Sequence, residues 1–181
     1  MFKVDLTDKT LAQELVHFDE NYDVDGYIRR SGITKEVVGV GSTFWHPVWK
    51  AFQKGIDKAL PDTTNHIISV SKDERRYIVY ATSDTQSGMY LYGDRDQNTL
   101  GVLGSRYERL SPEVMSEKKA ISYKARDGLE IEGFLTLPKG KPETNLPTII
   151  FPHGGPISYD SDGFDYWTQF LASKGYAANE L

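Results

Sequence analysis

At 181 residues the chain has room for one ordinary domain or for parts of two. Its 21 Lys and Arg against 26 Asp and Glu leave a net charge of -5 with no basic cluster to neutralise a run of phosphates, so nucleic acid is not an expected partner. The lack of cysteine excludes disulfides, a thiol nucleophile and Cys-ligated zinc, and no apolar run approaches the ~20 residues of a membrane span.

The opening residues, Met1 to Asp8, carry acids where a secretory signal carries an apolar core, so the chain reads as soluble, with no membrane partner and no assigned compartment. Glu14–Phe18, Gly26–Arg30 and Glu36–Thr43 then repeat a rhythm of strand and turn that predicts a partial β-propeller blade, its first strand expected before Met1. Pro47–Leu60 predicts a helix, with Pro47 in its first turn and Val48, Trp49, Phe52, Ile56 and Leu60 on one side. Trp45, Trp49 and Phe52 are expected to bury this helix against the propeller. His46 stands between Trp45 and Pro47 with no carboxylate at a catalytic spacing, and is read as a hydrogen-bonding group at the helix start.

Four short strand patterns follow: His66–Ser71, Tyr77–Ser83, Met89–Gly93 and Thr99–Gly104. The segments between them are rich in Asp, Gly, Asn, Ser and Lys, which favour turns. Four strands in about 40 residues is the size of one propeller blade. His17 and His66 fall on predicted strands and are read as structural. The rhythm stops at Leu110-Ser111-Pro112-Glu113, a Ser-Pro break read as a domain boundary.

After this break the pattern changes. Ala120–Ala125 and Leu129–Leu137 flank Arg126-Asp127-Gly128, where Asp-Gly signals a tight hairpin. Pro138–Pro147 is a polar loop. Leu146–Phe151 is short, apolar and β-branched, which predicts a central parallel strand buried on both faces. His153-Gly154-Gly155-Pro156 stands at the carboxyl end of that strand, where open α/β sheets place their sites. Paired glycines there can take positive φ and present backbone N–H groups to a substrate carbonyl, as one half of an oxyanion hole. Phe164, Trp167, Phe170 and Leu171 then recur at helical spacing up to Lys174-Gly175, and Tyr176-Ala177-Ala178 begins another strand.

Other polar residues near the glycines carry less chemistry. Asp160, Asp162 and Asp165 lack the remaining ligands and the glycine of a calcium loop, and predict a solvated loop with a helix cap. Ser158, Ser161 and Ser173 lie in no strand-turn-helix elbow and read as ordinary polar positions.

The run Ile121-Ser122-Tyr123-Lys124-Ala125-Arg126-Asp127-Gly128-Leu129-Glu130-Ile131-Glu132-Gly133-Phe134-Leu135-Thr136-Leu137-Pro138, followed by Leu146-Pro147 and His153-Gly154-Gly155-Pro156, resembles the prolyl oligopeptidase family of serine peptidases, in its acylaminoacyl-peptidase-like and dipeptidyl-peptidase-like members. Gly163-Phe164-Asp165, Gln169-Phe170-Leu171-Ala172 and Lys174-Gly175-Tyr176-Ala177 extend the likeness, and the strands from 66 to 104 look like that family's last blade. The resemblance implies β-propeller blades over residues 1–112, with an inter-strand helix near 47–60. It implies the N-terminal part of an α/β-hydrolase catalytic domain over 113–181. It also implies hydrolysis of short peptides through an acyl-enzyme, with no metal or organic cofactor, and leaves the oligomeric state open.

Carried onto this chain, the family's roles make Gly155 the backbone oxyanion donor and Gly154 the residue that allows the sharp turn. His153 shapes or polarises that loop. The family's Ser, Asp and His triad follows the loop in chain order, but no Gly-x-Ser-x-Gly occurs in this sequence and no histidine follows His153. Similar members also continue after Gly-Tyr-Ala with an apolar strand and an Asn-Phe-Arg-Gly turn, where this chain has Ala178-Asn179-Glu180-Leu181. The expectation is therefore a truncated fragment, inactive alone. Two alternatives remain: a non-catalytic propeller-derived binding module and an esterase-like hydrolase fragment.

Overall fold

The computed structural model describes residues 1–20, 23–155 and 158–181. It opens on two strands, β1 (Phe2–Val4) and β2 (Gln13–Leu15), paired antiparallel. The first of these was not legible in the sequence, because all three of its residues are exposed and no alternation marks it. A three-stranded antiparallel sheet follows, made of β3 (Ile28–Arg30), β4 (Val37–Val40) and β5 (Thr43–Phe44). Gly41, at φ 54°, turns the chain between β4 and β5, a conformation that favours glycine.

The helix α1 (Pro47–Ala59) starts where the sequence places it. His46 is its N-cap residue, but its side chain makes no capping bond and its Nδ1 is buried without a partner. The expected role of the imidazole is thus corrected. What starts the helix is the preset φ of Pro47 and the His46 carbonyl, which accepts the Lys50 amide at 2.9 Å.

The four strand patterns beyond the helix appear as β6 (Thr64–Val70), β7 (Arg76–Thr82), β8 (Met89–Asp94) and β9 (Thr99–Ser105), one antiparallel sheet in sequence order. A single core joins this sheet to α1 and to β4 and β5. Val38, Phe44, Trp49, Ile56, Ile67, Tyr77, Val79, Ala81 and Leu91 are all buried in it. Trp49 stacks on Phe44 at 5.4 Å, and Phe52 meets Tyr77 edge-on at 4.7 Å, so these two aromatics bury the helix as expected, whereas Trp45 lies outside this core against His17 and Val48 is exposed. Polar staples add to this core. Glu74, in the β6–β7 turn, accepts from the Ser31 hydroxyl at 2.5 Å and the Gly32 amide at 2.7 Å. Arg29 donates to the carbonyls of Gly41 at 2.9 Å and Ile67 at 2.8 Å. Among the described residues no sheet closes on itself.

A second, mixed sheet is built from β10 (Lys118–Lys124), β11 (Glu130–Thr136), β12 (Thr148–Phe151) and β13 (Ala177–Glu180) in the order β10-β11-β13-β12. The predicted hairpin joins β10 to β11, with Gly128 at φ 88° in its turn. The expectation for Leu146–Phe151 is corrected: among the described residues β12 is an edge strand, parallel to β13 alone, and Ile150 is 55% exposed. The buried central position belongs instead to β13, whose Ala177 and Ala178 are small enough to lie between β11, β12 and the helix α2 (Tyr166–Ser173).

The phase of α2 also differs from its apolar pattern. Trp167 and Phe170 are about half exposed, while Thr168, Gln169 and Ala172 are buried. Hydrogen bonding sets this phase. Asp165 caps the helix by accepting the Thr168 amide at 2.9 Å, and the Gln169 side chain is fully engaged on the inner face.

Candidate functional site

At the end of β12, the His153 amide donates to the Leu181 carbonyl at 3.2 Å and so carries the parallel ladder one step past the strand. This bond anchors the loop of interest to β13. The ring of His153 folds forward, placing Nδ1 2.9 Å from the Gly154 carbonyl oxygen. A carbonyl only accepts, so Nδ1 carries the proton and donates. In the neutral imidazole Nε2 is then the unprotonated nitrogen.

That bond has a consequence for the next peptide unit. The chain contains no cis peptide among its described residues, so the N–H of Gly155 points opposite to the carbonyl of Gly154. With the carbonyl held by the imidazole, the Gly155 N–H faces away from the ring. Gly154 and Gly155 are both exposed, and His153 is half-buried. The sharp turn expected of Gly154 is not made through positive φ, and a Cβ built there would meet no atom within 4 Å. Neither backbone strain nor packing therefore requires glycine at 154. Pro156, the last residue of the predicted loop, lies outside the described residues.

His153 opens onto a groove of about 1030 Å³ walled by Phe134, Tyr159, Asp160 and Lys118. Beneath it Lys118 Nζ sits 2.8 Å from Glu180 Oε2, with side chains only 2% and 3% exposed. The same ammonium donates to the Ser161 carbonyl at 3.0 Å and lies over the Phe134 ring. Burial pushes the Glu180 carboxyl up from the ordinary carboxylate range; the Lys118 bond opposes this, and the nearby Asp165 and Asp160 charges reinforce it. Asp160 keeps one buried oxygen, Oδ2, without a hydrogen-bond partner. The Lys118–Glu180 pair was missed by the sequence reading, because it links residues on separate strands with no local pattern between them.

Of the other sequence candidates, Asp165 is the expected helix cap, and no group of three His, Cys, Asp or Glu side chains could hold a metal among the described residues. Ser158 and Ser161 are exposed, and Ser173 Oγ donates to the Phe170 carbonyl at 2.6 Å. His17 stacks on Trp45 at 6.2 Å. His66 pairs Nδ1 with the Ser42 hydroxyl at 2.7 Å, and its pKa is held down by burial and then by Arg29. His66 lies on β6 as expected, whereas His17 follows β2 outside any strand.

No family model matches the chain. In sequence it is 27% identical to dipeptidyl aminopeptidase BIII of Pseudoxanthomonas mexicana over 193 aligned positions, covering 98% of this chain and 27% of that protein. It is 30% identical over 118 positions to the uncharacterized peptidase YuxL of Bacillus subtilis, covering 65% of this chain and 16% of that one. The chain is similar to peptidases of the prolyl oligopeptidase family. Similarity to solved structures includes the acylaminoacyl peptidase of Pyrococcus horikoshii, at 26% identity and a TM-score of 0.45, covering 64% of this chain and 18% of that one. The chain spans about a quarter or less of the length of the curated proteins it matches. The loop from His153 to Gly155, the groove beside it and the Lys118–Glu180 pair are brought together, while His17, His46 and His66 do not line that groove.

Proposed function

We propose that this chain is the junction segment of a serine-type peptidase, with β-propeller blades over residues 1–112 and the first part of an α/β-hydrolase domain over 113–181. In this reading Gly155 supplies one backbone donor of the oxyanion hole, and the substrates of the whole protein are short peptides. The observation that carries it is the hydrogen bond from His153 Nδ1 to the Gly154 carbonyl. It gives His153 a definite job. By holding that carbonyl, the imidazole aims the Gly155 N–H toward open space, where a substrate carbonyl oxygen would gain negative charge during acyl transfer. An oriented donor costs no reorganisation at that moment and contributes about 3 kcal/mol to a complete centre.

The remaining chemistry of acyl transfer needs a serine nucleophile and a histidine base. Since the sequence holds no Gly-x-Ser-x-Gly, the chain by itself is expected to hydrolyse no dipeptidyl p-nitroanilide. The test is a chimera in which this chain replaces the aligned segment of dipeptidyl aminopeptidase BIII. Peptidase turnover should survive in the chimera, and Gly155→Pro, which deletes the N–H, should lower kcat by roughly 10²- to 10³-fold. An active chimera whose kcat is unchanged by Gly155→Pro would remove Gly155 from the oxyanion role.

A further inference from the structure

Helix α2 buries a polar side chain at its centre. Gln169 is 7% exposed, and its amide bonds in three directions. Oε1 accepts the Ser116 amide at 2.9 Å, while Nε2 donates to the Ser116 carbonyl at 2.7 Å and to the Asp84 carbonyl at 3.1 Å. Asp84 lies in the β7–β8 turn, and its Oδ2 accepts the Lys118 amide at 2.9 Å. The turn of the four-stranded sheet, the strand leading into the mixed sheet and the helix behind it therefore meet at one side chain. A neutral primary amide suits the position because it donates and accepts at once. A carboxylate could not donate, and an apolar residue would leave three backbone groups unpaired, two of them on buried Ser116.

Beside this clasp runs a gap of about 610 Å³ between the two sheets. Thr64, His66, Thr82 and Asp84 form one wall, and Ser161 and Asp162 are on the other. Ser161 and Asp162 also line the groove at His153, so one short segment divides the gap from the candidate site. Asp84 belongs to both the clasp and the gap.

We propose that Gln169 is a positioning residue: by gripping Asp84 and Ser116 it holds the four-stranded sheet at a set distance from residues 161–163, and so sets the width of the gap beside the His153 loop. That peptide uses this gap rests on the peptidase reading above; the clasp itself does not. The relative motion of two packed parts is the default where their interface is small, so a single buried amide at the contact can decide it.

The chain has no cysteine, so the pair Asp62→Cys and Asp162→Cys, both exposed positions on the gap, can carry spin labels without background. Double electron–electron resonance should report one narrow distance distribution with Gln169 in place. Gln169→Leu should widen that distribution about two-fold with the far-ultraviolet circular dichroism unchanged. Gln169→Glu should be wide at neutral pH and narrow again on acidification, when the protonated carboxyl regains a donor. A narrow distribution retained in Gln169→Leu overturns the proposal. Should that variant fail to fold, Gln169→Asn, which keeps the amide but shortens its reach to Ser116 and Asp84, takes its place, and an unchanged distribution there overturns the proposal equally. Widening in Gln169→Leu together with an inactive chimera would uphold the clasp and remove the peptidase reading.

Discussion

Single polar side chains hold distant parts of this molecule together, and each is exposed to a simple substitution. Glu74 is 9% exposed and takes donors from Ser31 and Gly32 in the turn between β3 and β4. Truncating it leaves those donors buried and unpaired, so Glu74→Ala should cost about 2–3 kcal/mol in urea unfolding, whereas Glu143→Ala, in an exposed ion pair with Lys119, should cost about 0–1. His66 carries a pH effect of definite sign. Its folded pKa lies below the ordinary imidazole value, because burial and the Arg29 guanidinium disfavour the cation. The stabilisation is therefore complete above the ordinary histidine pKa and is lost as pH falls through that value toward the lower folded one. Thermal unfolding followed from pH 8 to pH 5 should show this loss, and His66→Gln should flatten that part of the profile. An unaltered profile in the variant would assign the effect elsewhere.

Elements differ in how far their own sequence announced them. Helix α1 was legible because its apolar residues repeat on one side and Pro47 presets its first turn, and Trp49 and Ile56 are indeed buried. Helix α2 was legible in position but not in phase. Its aromatics suggested an inner face, yet Gln169 and the Asp165 cap turn Trp167 and Phe170 outward. The contrast predicts different costs for comparable truncations. Trp49→Ala should destabilise by about 3–5 kcal/mol, and Phe170→Ala, about half exposed, by less than about 1.5. Chemical denaturation of the two variants checks this, and equal costs would mean that the aromatic face of α2 is covered in solution. β12 teaches the same lesson for strands. A short run of β-branched residues reads as buried, but its composition cannot tell which neighbours the sheet order will give it.

At the scale of the whole molecule, the mixed sheet of the described residues presents an unpaired outer edge at β12, with Ile150, Trp167 and Phe170 all about half exposed. Such an edge is a template for pairing with another chain. The isolated chain should bind a hydrophobic dye and sediment with a concentration-dependent mass, and Ile150→Lys should reduce both. A monomeric, dye-silent chain at high concentration would contradict this expectation. The same view separates what each level of description supplied. Turn residues, alternation and the Asp-Gly hairpin set the number and order of the strands from 64 to 136, because those are local properties of a few neighbouring residues. The run His153-Gly154-Gly155 at the end of a strand was legible as a motif for the same reason.

Tertiary structure alone decided which strand is central, which face of α2 is inner, and that Lys118 meets Glu180 and Gln169 meets Asp84. Those contacts span 62 and 85 residues of chain, and no local pattern encodes a partner at such a distance. It also decided the role available to His153. The sequence places an imidazole before two glycines, but only the folded loop brings its Nδ1 to the Gly154 carbonyl and so turns the Gly155 N–H outward. A residue's type sets what it can donate or accept; the fold sets what it is aimed at.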